Sequence, residues 1–358
     1  MAATAAEVDL ICLDDASPEP GFSEETRALC AELGIQYYRT PRNLGIPRNF
    51  NMALLRGREA EYDYVVIANS DVLFAKSLID ELVSTAEASK PFGTMTAWSN
   101  NVSVFSLPNP SADKLLSNQR AVSWVGETLS REFGQASLEI PAGVGFLLLF
   151  PLEAIRAVGL MDPIFGRGYC EELDWTIRAS NQGLKNLLAP SAFAYHQGGG
   201  TNSVEGLVAA GHTTVPENEA IIDMRYPNFR QTVTAFMAGG YLAEFIERAC
   251  RAIMLAAAEV RGYEVVLGGS HEPDFEDGPV VSLESRRDGG LAVVARYLGF
   301  RAAFEGVAAS AEGIIETFGG KPRVARLYEP AGVQHAVGMA FKALGVGLDE
   351  SACYPSRV

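Results

Sequence analysis

Short apolar runs alternate with helix-patterned stretches through about the first two hundred residues, and this alternation constrains the chain more than any other feature. Residues 8–13, VDLICL, read as a strand ending in Asp14 and Asp15. Ser23 stands at a helix N-cap position with Glu24 and Glu25 in the first turn, and Gly34 stops that helix. IQYYR follows as a strand, and Pro47 occupies a first helical turn that runs to Gly57. YVVIAN (64–69) is the next strand, 77–88 the next helix and GTMTAW (93–98) the strand after it. AGVGFLLLF (142–150) reads as a buried strand, a short helix starts at Leu152, and an acidic cluster opens a helix ending near Gly183. LKNLLA and AFAYH complete the series as two strands. This order predicts an α/β fold, a mainly parallel sheet with helices on both faces. Ligands of such sheets gather at the carboxyl ends of strands, where Asp14, Asp15 and Asp71 fall.

Beyond about Tyr226 the texture changes. Leu242, Phe245, Ile246, Ala249, Ile253, Met254 and Ala257 recur at helical spacing, with Glu244, Glu247, Arg248 and Arg251 opposite. That polar face mixes signs, so core or partner packing is expected, with a membrane surface as the alternative. Later strand patterns (YEVVLGG, PVVSLES, PRVARLYE) mix with Ala-rich helical segments. The expected division is therefore residues 1–225 and a C-terminal helical or α/β extension over 226–358, in line with about 150 residues per domain.

A net charge of −15 argues against nucleic acid as a partner, because that affinity rests on Lys and Arg neutralising phosphates. An acidic protein that handles phosphate esters gathers positive charge locally or borrows a metal ion. The five cysteines show no CxxC pairing, which suggests neither a disulfide framework nor structural zinc and favours a reducing, cytoplasmic setting. The opening MAATAAEVDL has no basic start and no long apolar stretch, so no signal peptide is expected.

Three positions carry candidate chemistry. Asp71 follows the YVVIAN run, Glu171, Glu172 and Asp174 precede a helical pattern, and His196 closes AFAYH before Gly198–Gly200. Hard divalent cations take oxygen ligands with an occasional imidazole, and a phosphate-bearing substrate supplies the remaining positions. Each has an ordinary alternative. Asp71 is then a turn residue, His196 a satisfied strand-end side chain, and the three acids favour a helix N-terminus at about 0.3–1 kcal/mol each.

Taken in order, LDDAS, RNLGIPRNFNMAL, ANSDV, AGVGFLLLF, YCEELDWTIRASNQGLK and YHQGGGT resemble family-2 glycosyltransferases of GT-A fold (nucleotide-diphospho-sugar transferases), the rhamnosyltransferase-like members above all. The resemblance covers about residues 8–203 and leaves the C-terminal third outside it. It implies that Asn69, Ser70 and Asp71 form a DxD-type motif with Asn in first place, Asp71 being the metal ligand for Mg2+ or Mn2+ and His196 completing the shell. Glu172 takes the place of the family's catalytic Asp, with Glu171 as its competitor, and the extra methylene shifts the carboxylate by roughly an ångström. Asp14 and Asp15 resemble the acids that contact nucleobase or ribose, and Arg42 and Asn43 the segment lining the nucleotide pocket. Asp15 to Pro18 would equally form an ordinary turn, and Arg42 an ordinary surface charge. Gly143 and Asp174 join Asn69 as candidate substrate contacts, Asp174 being the one most readily yielded to a structural role. Residues 99–118 are expected to form an acceptor-side lid.

The activity implied is inverting transfer of a hexose, rhamnose among the options, from a nucleoside-diphosphate sugar to a glycan or lipid-linked acceptor, at the inner face of a membrane or free in the cytoplasm. Family members begin with a strand and helix ahead of the LDDAS strand, and this chain starts about where the second strand is expected. An open sheet edge is the expected consequence, and a catalytically impaired sugar- or nucleotide-binding module is the alternative function. A nucleotidyltransferase is disfavoured because no Gly-rich, Lys-bearing phosphate loop lies near the N-terminus.

Overall fold

The computed structural model describes residues 6–102, 104–107, 118–197, 215–268, 277–328 and 332–349. The N-terminal elements are β1 (Ile11–Asp14), α1 (Phe22–Glu32), β2 (Gln36–Arg39), α2 (Ile46–Glu59), β3 (Tyr64–Ala68), β4 (Val72–Phe74), α3 (Leu78–Ser89) and β5 (Thr94–Ser99). They continue with α4 (Gln119–Phe133), β6 (Leu138–Ile140), β7 (Leu147–Pro151), α5 (Leu152–Val158), α6 (Glu171–Asn181) and β8 (Asn186–His196). The alternation is therefore present, with one local difference: Gly21 caps α1, while the Ser23 hydroxyl donates to Asp14 at 2.6 Å.

The main sheet runs β3-β7-β5-β8-β4, with β6 also on β8. It is mixed: β5 lies parallel to β8, whereas β3–β7, β5–β7, β4–β8 and β6–β8 are antiparallel. Apolar runs do not encode strand direction. Only Asn69, Ser70 and Asp71 separate β3 from β4, which pair with different strands, β7 and β8. β1 and β2 pair parallel in a small sheet of their own, so β3 has a hydrogen-bonded partner only in β7 among the described residues.

β8 unites the two strands read from LKNLLA and AFAYH. Its pairing with β5 steps from Ala97–Ala189 to Trp98–Phe193, so residues 190–192 bulge outward. Pro190 at that point has no N–H to give a ladder, and a bulge is where a strand tolerates it. Beyond the bulge β8 pairs with β4, Val72 opposite His196.

After residue 214 come α7 (Pro216–Arg225), α8 (Phe229–Ala238) and α9 (Tyr241–Arg261). A second six-stranded sheet follows, formed by β9 (Glu264–Leu267), β10 (Val280–Ser285), β11 (Leu291–Tyr297), β12 (Phe300–Phe304), β13 (Ala325–Leu327) and β14 (Leu348–Asp349), with α10 (Ala311–Phe318) and α11 (Val333–Ala343) packed beside it. α9 buries Leu242, Ala249, Ile253, Met254 and Ala257, and its Phe245 stacks on Phe133 of α4 at 5.5 Å. Arg248 covers the same Phe133 ring and pairs with Glu132. The amphipathic helix thus packs on protein. No described helix is long and apolar enough to cross a membrane.

Trp175 holds α6 to the sheet. It is fully buried, meets Phe150 edge-on at 4.9 Å and donates its indole N–H to Gly159 O at 2.8 Å. Trp175→Ala should cost about 3–5 kcal/mol, since it removes a large buried side chain and orphans a carbonyl. Equilibrium urea unfolding measures the loss.

Candidate active site

The tight reversal after β3 places Asn69 and Asp71 beside the end of β8. His196 Nε2 lies 3.4 Å from Asp71 Oδ1 and 3.4 Å from Asn69 Nδ2, and its Nδ1 is 3.0 Å from the Asn101 carbonyl. Burial of the ring opposes its protonation, but the Asp71 carboxylate and the Asn101 carbonyl outweigh this and leave His196 above its ordinary pKa. The Asp71 carbonyl accepts from Gln197 N at 3.0 Å, which ties the two strand ends together. Gly198–Gly200, and most of the expected lid over 99–118, lie outside the described residues.

Glu171 and Glu172 open α6. Tyr169 and Cys170 just before them both have left-handed φ, 72° and 74°, which costs residues with a side chain about 1–3 kcal/mol each. Glu171 is 3% exposed, and both glutamates have a buried, unpartnered Oε2. Burial pushes the Glu171 pKa well up and the neighbouring Glu172 charge adds to it. Burial also raises Glu172, opposed by backbone N–H groups of Glu172, Leu173 and Gly145. A Cβ at Gly145 would sit 3.2 Å from Glu172 Cδ, so glycine admits the carboxylate here.

The strand-end acids nearer the N-terminus are engaged within the fold. Asp14 accepts from Ser17 N at 2.8 Å, Ser23 Oγ at 2.6 Å and Tyr37 OH at 2.5 Å, and Arg39 lies 3.4 Å away. Asp15 accepts from Leu44 N, Gly45 N and Thr40 Oγ1 at 2.8–2.9 Å. Both carboxylates thereby fix the loop that leads into α2, the ordinary-turn role open to them from the sequence. Asn43 caps Gly45 N at 3.0 Å, while the Arg42 side chain is exposed. Gly45, at φ 85°, lets this loop touch the one before α6, where a Cβ would meet Gly166 O at 2.2 Å.

Asp174 and Gly143, two other expected substrate contacts, also have partners within the fold. Asp174 is fully buried, its Oδ2 bonded to Arg178 at 2.8 Å and its Oδ1 to Arg225 and Tyr226 at 2.8 Å each. Gly143 is a packing glycine whose Cβ would strike Leu148 Cδ2 at 2.5 Å. Sequence reasoning missed Asn218 in the first turn of α7. Its Nδ2 lies 2.8–3.1 Å from the carbonyls of Phe165, Gly168 and Tyr169 and pins the loop that presents the acids. Asn100 and Asn101, an Asn pair directly after β5, open the segment expected to form the lid, and the sequence gives neither a role of its own.

Gly145 and Phe146 bridge the two halves. Gly145 touches Glu172, while Phe146 accepts from Asn69 N at 2.9 Å and its ring lies 5.5 Å from that of His196. Asn69, Asp71, His196 and Glu172 thus share one end of the main sheet.

The model of glycosyl transferase family 2 matches residues 2–121, the stretch that carries Asp14, Asp15, Asn69 and Asp71. That match covers about a third of the chain. The architecture itself is mixed α/β. No curated protein matches the sequence. Similar solved structures include the mannosyltransferase PcManGT from Pyrobaculum calidifontis in complex with GDP-Man and Mn2+, at 18% identity over 71% of this chain and 66% of that one, TM-score 0.42. GalNAc-T7 with UDP, GalNAc and Mn2+ aligns at 14% identity over 52% of this chain and 37% of that one, TM-score 0.38. A197 from STIV aligns at 14% identity over 56% of this chain and 87% of that one, TM-score 0.31. The chain therefore spans between about a third and two thirds of the first two of these proteins.

Among the described residues no three His, Cys, Asp or Glu side chains cluster as a metal cage. One carboxylate and one imidazole side by side instead suit Mg2+ or Mn2+ held jointly with substrate phosphates. The donor set fits a divalent cation on those terms.

Asp14 supplies a test of the loop. Burial works against its charge, but hydrogen bonds from Ser23, Tyr37 and Ser17 win and lower its pKa from 3.8 to about 2. Its contribution to stability is present above pH 3.8 and lost as pH falls through about 2. Asp14→Asn should remove that part of the acid dependence, read from urea midpoints between neutral pH and pH about 2.

Proposed function

We propose that this chain is a metal-dependent, inverting glycosyltransferase that moves a hexose, rhamnose among the candidates, from a nucleoside-diphosphate sugar to a hydroxyl of a glycan or lipid-linked acceptor. The observation that carries the reading is the meeting of His196 Nε2 and Asp71 Oδ1 at 3.4 Å beside a buried acid pair, bridged by Gly145 and Phe146. Inversion, hexose and acceptor class rest on the family resemblance.

Glu172 is the proposed base. Its raised pKa strengthens it as a proton acceptor, and proton transfer is most effective when the catalytic pKa approaches the working pH. As the acceptor oxygen bonds to the anomeric carbon, the bond from that carbon to the diphosphate oxygen breaks. The acceptor proton passes to a Glu172 carboxylate oxygen. Asp71 and His196 would hold the cation, which supplies charge neutralisation for the leaving diphosphate. Glu171, more deeply buried and raised further by the Glu172 charge, is suited to keep its proton and leave Glu172 as the ionised member.

Asp71→Ala should abolish metal-dependent nucleotide binding, read as loss of the Mn2+-dependent thermal shift across a panel of nucleotide sugars. Glu172→Gln should retain that shift and lose transfer by at least about 100-fold, measured as acceptor-dependent release of nucleoside diphosphate. Undiminished transfer in Glu172→Gln would move the base role to Glu171. Binding without turnover in the wild type would favour a sugar- or nucleotide-binding module.

A further inference from the structure

The expected histidine ligand is held by two residues that open the expected lid segment and that neither the family resemblance nor the motifs connect with the metal. Asn100, 1% exposed, clasps the His196 backbone from both sides: its Oδ1 accepts from His196 N at 2.7 Å and its Nδ2 donates to His196 O at 3.1 Å. The next residue supplies its carbonyl to the ring at 3.0 Å. A carbonyl only accepts, so Nδ1 carries a hydrogen in every protonation state of this contact. In the neutral ring Nε2 is then bare, with Asp71 Oδ1 and the Asn69 amide each 3.4 Å away. Nε2 and Asp71 Oδ1 can therefore share a cation, a role that a proton fills when no metal is bound. Asn101 Nδ2 further donates to Gln197 O at 3.1 Å, extending the clasp one residue beyond the histidine.

We infer that Asn100 and Asn101 are positioning residues that fix the strand end and the tautomer of His196, so that Nε2 is presented as a ligand to a divalent cation shared with Asp71. The inference rests on the metal-dependent reading above. A ligand histidine generally gives its second ring N–H to a carbonyl or carboxylate, and loss of such outer partners lowers metal affinity by about 10- to 100-fold. Here the ring partner is a backbone carbonyl, so the side chain that can be varied is Asn100.

The test is titration of Mn2+, followed by electron paramagnetic resonance of the free ion, with each of UDP, GDP and dTDP present. Wild type, Asn100→Ala, His196→Ala and the double variant are compared, and melting of each metal-free protein is recorded. Asn100→Ala should weaken Mn2+ binding by about 10-fold or more, and the loss should vanish in the His196→Ala background, where no ring remains to position. A merely structural asparagine would give the same proportional loss in both backgrounds, or lower the melting temperature without changing affinity, and either result overturns the inference. Asn100→Ser, which keeps a short acceptor in the same place, serves if the alanine variant does not fold. Failure of the wild type to bind Mn2+ with any of the three nucleotides retracts the metal-dependent reading itself, and the positioning role with it. Binding by wild type with no change in Asn100→Ala retracts the positioning role alone.

Discussion

Strand β8 stays parallel to β5 from Asn186 to Ala194 across a bulge at residues 190–192, while its other edge passes from β6 to an antiparallel pairing with β4. Pro190, which cannot complete a ladder, falls at that bulge. Beyond it the paired end of β8 sets His196 beside Asp71. Every residue of β8 except His196 is buried, so its register is set by packing on both faces and a slip would move the imidazole away from the carboxylate. The precision of the candidate site is therefore a property of the sheet more than of the loops around it.

A second constraint is electrostatic. Two adjacent glutamates at one helix start, each with a buried oxygen that lacks a partner, are expensive to ionise together. The helix N-terminus and the Gly145 N–H moderate the cost for Glu172, whereas Glu171 gains less. Environment thus separates two side chains of identical chemistry. A fold selected only for stability would not keep such a pair, which is why it stands out against the many acids of this chain that are simply solvated.

Much of the architecture was legible from apolar runs and stop signals: β3, α3, β5 and α6 lie within a residue or two of the positions read from the sequence. Strand direction was not, because periodicity is the same in parallel and antiparallel ladders, and neither was the union of two strands across Pro190. The strand-end position of Asp71 and His196 was visible. The hydrogen-bond partners of Asp14 and Asp15 were not, since an aspartate that ends a strand serves equally well to knit a turn or to face a ligand. Asn218 was out of reach for a different reason: it lies about fifty residues after the loop it holds, and nothing local marks it.

Asn218 and the Arg225–Asp174 contact tie α7 to the loop before α6, which carries two left-handed residues. Strain maintained by a neighbouring element is released locally when that element loosens. Small perturbations of α7 would consequently relax the two left-handed residues and swing the glutamates out of register while the buried sheets remain intact. Such a protein would fail gradually, disarmed well before it melts.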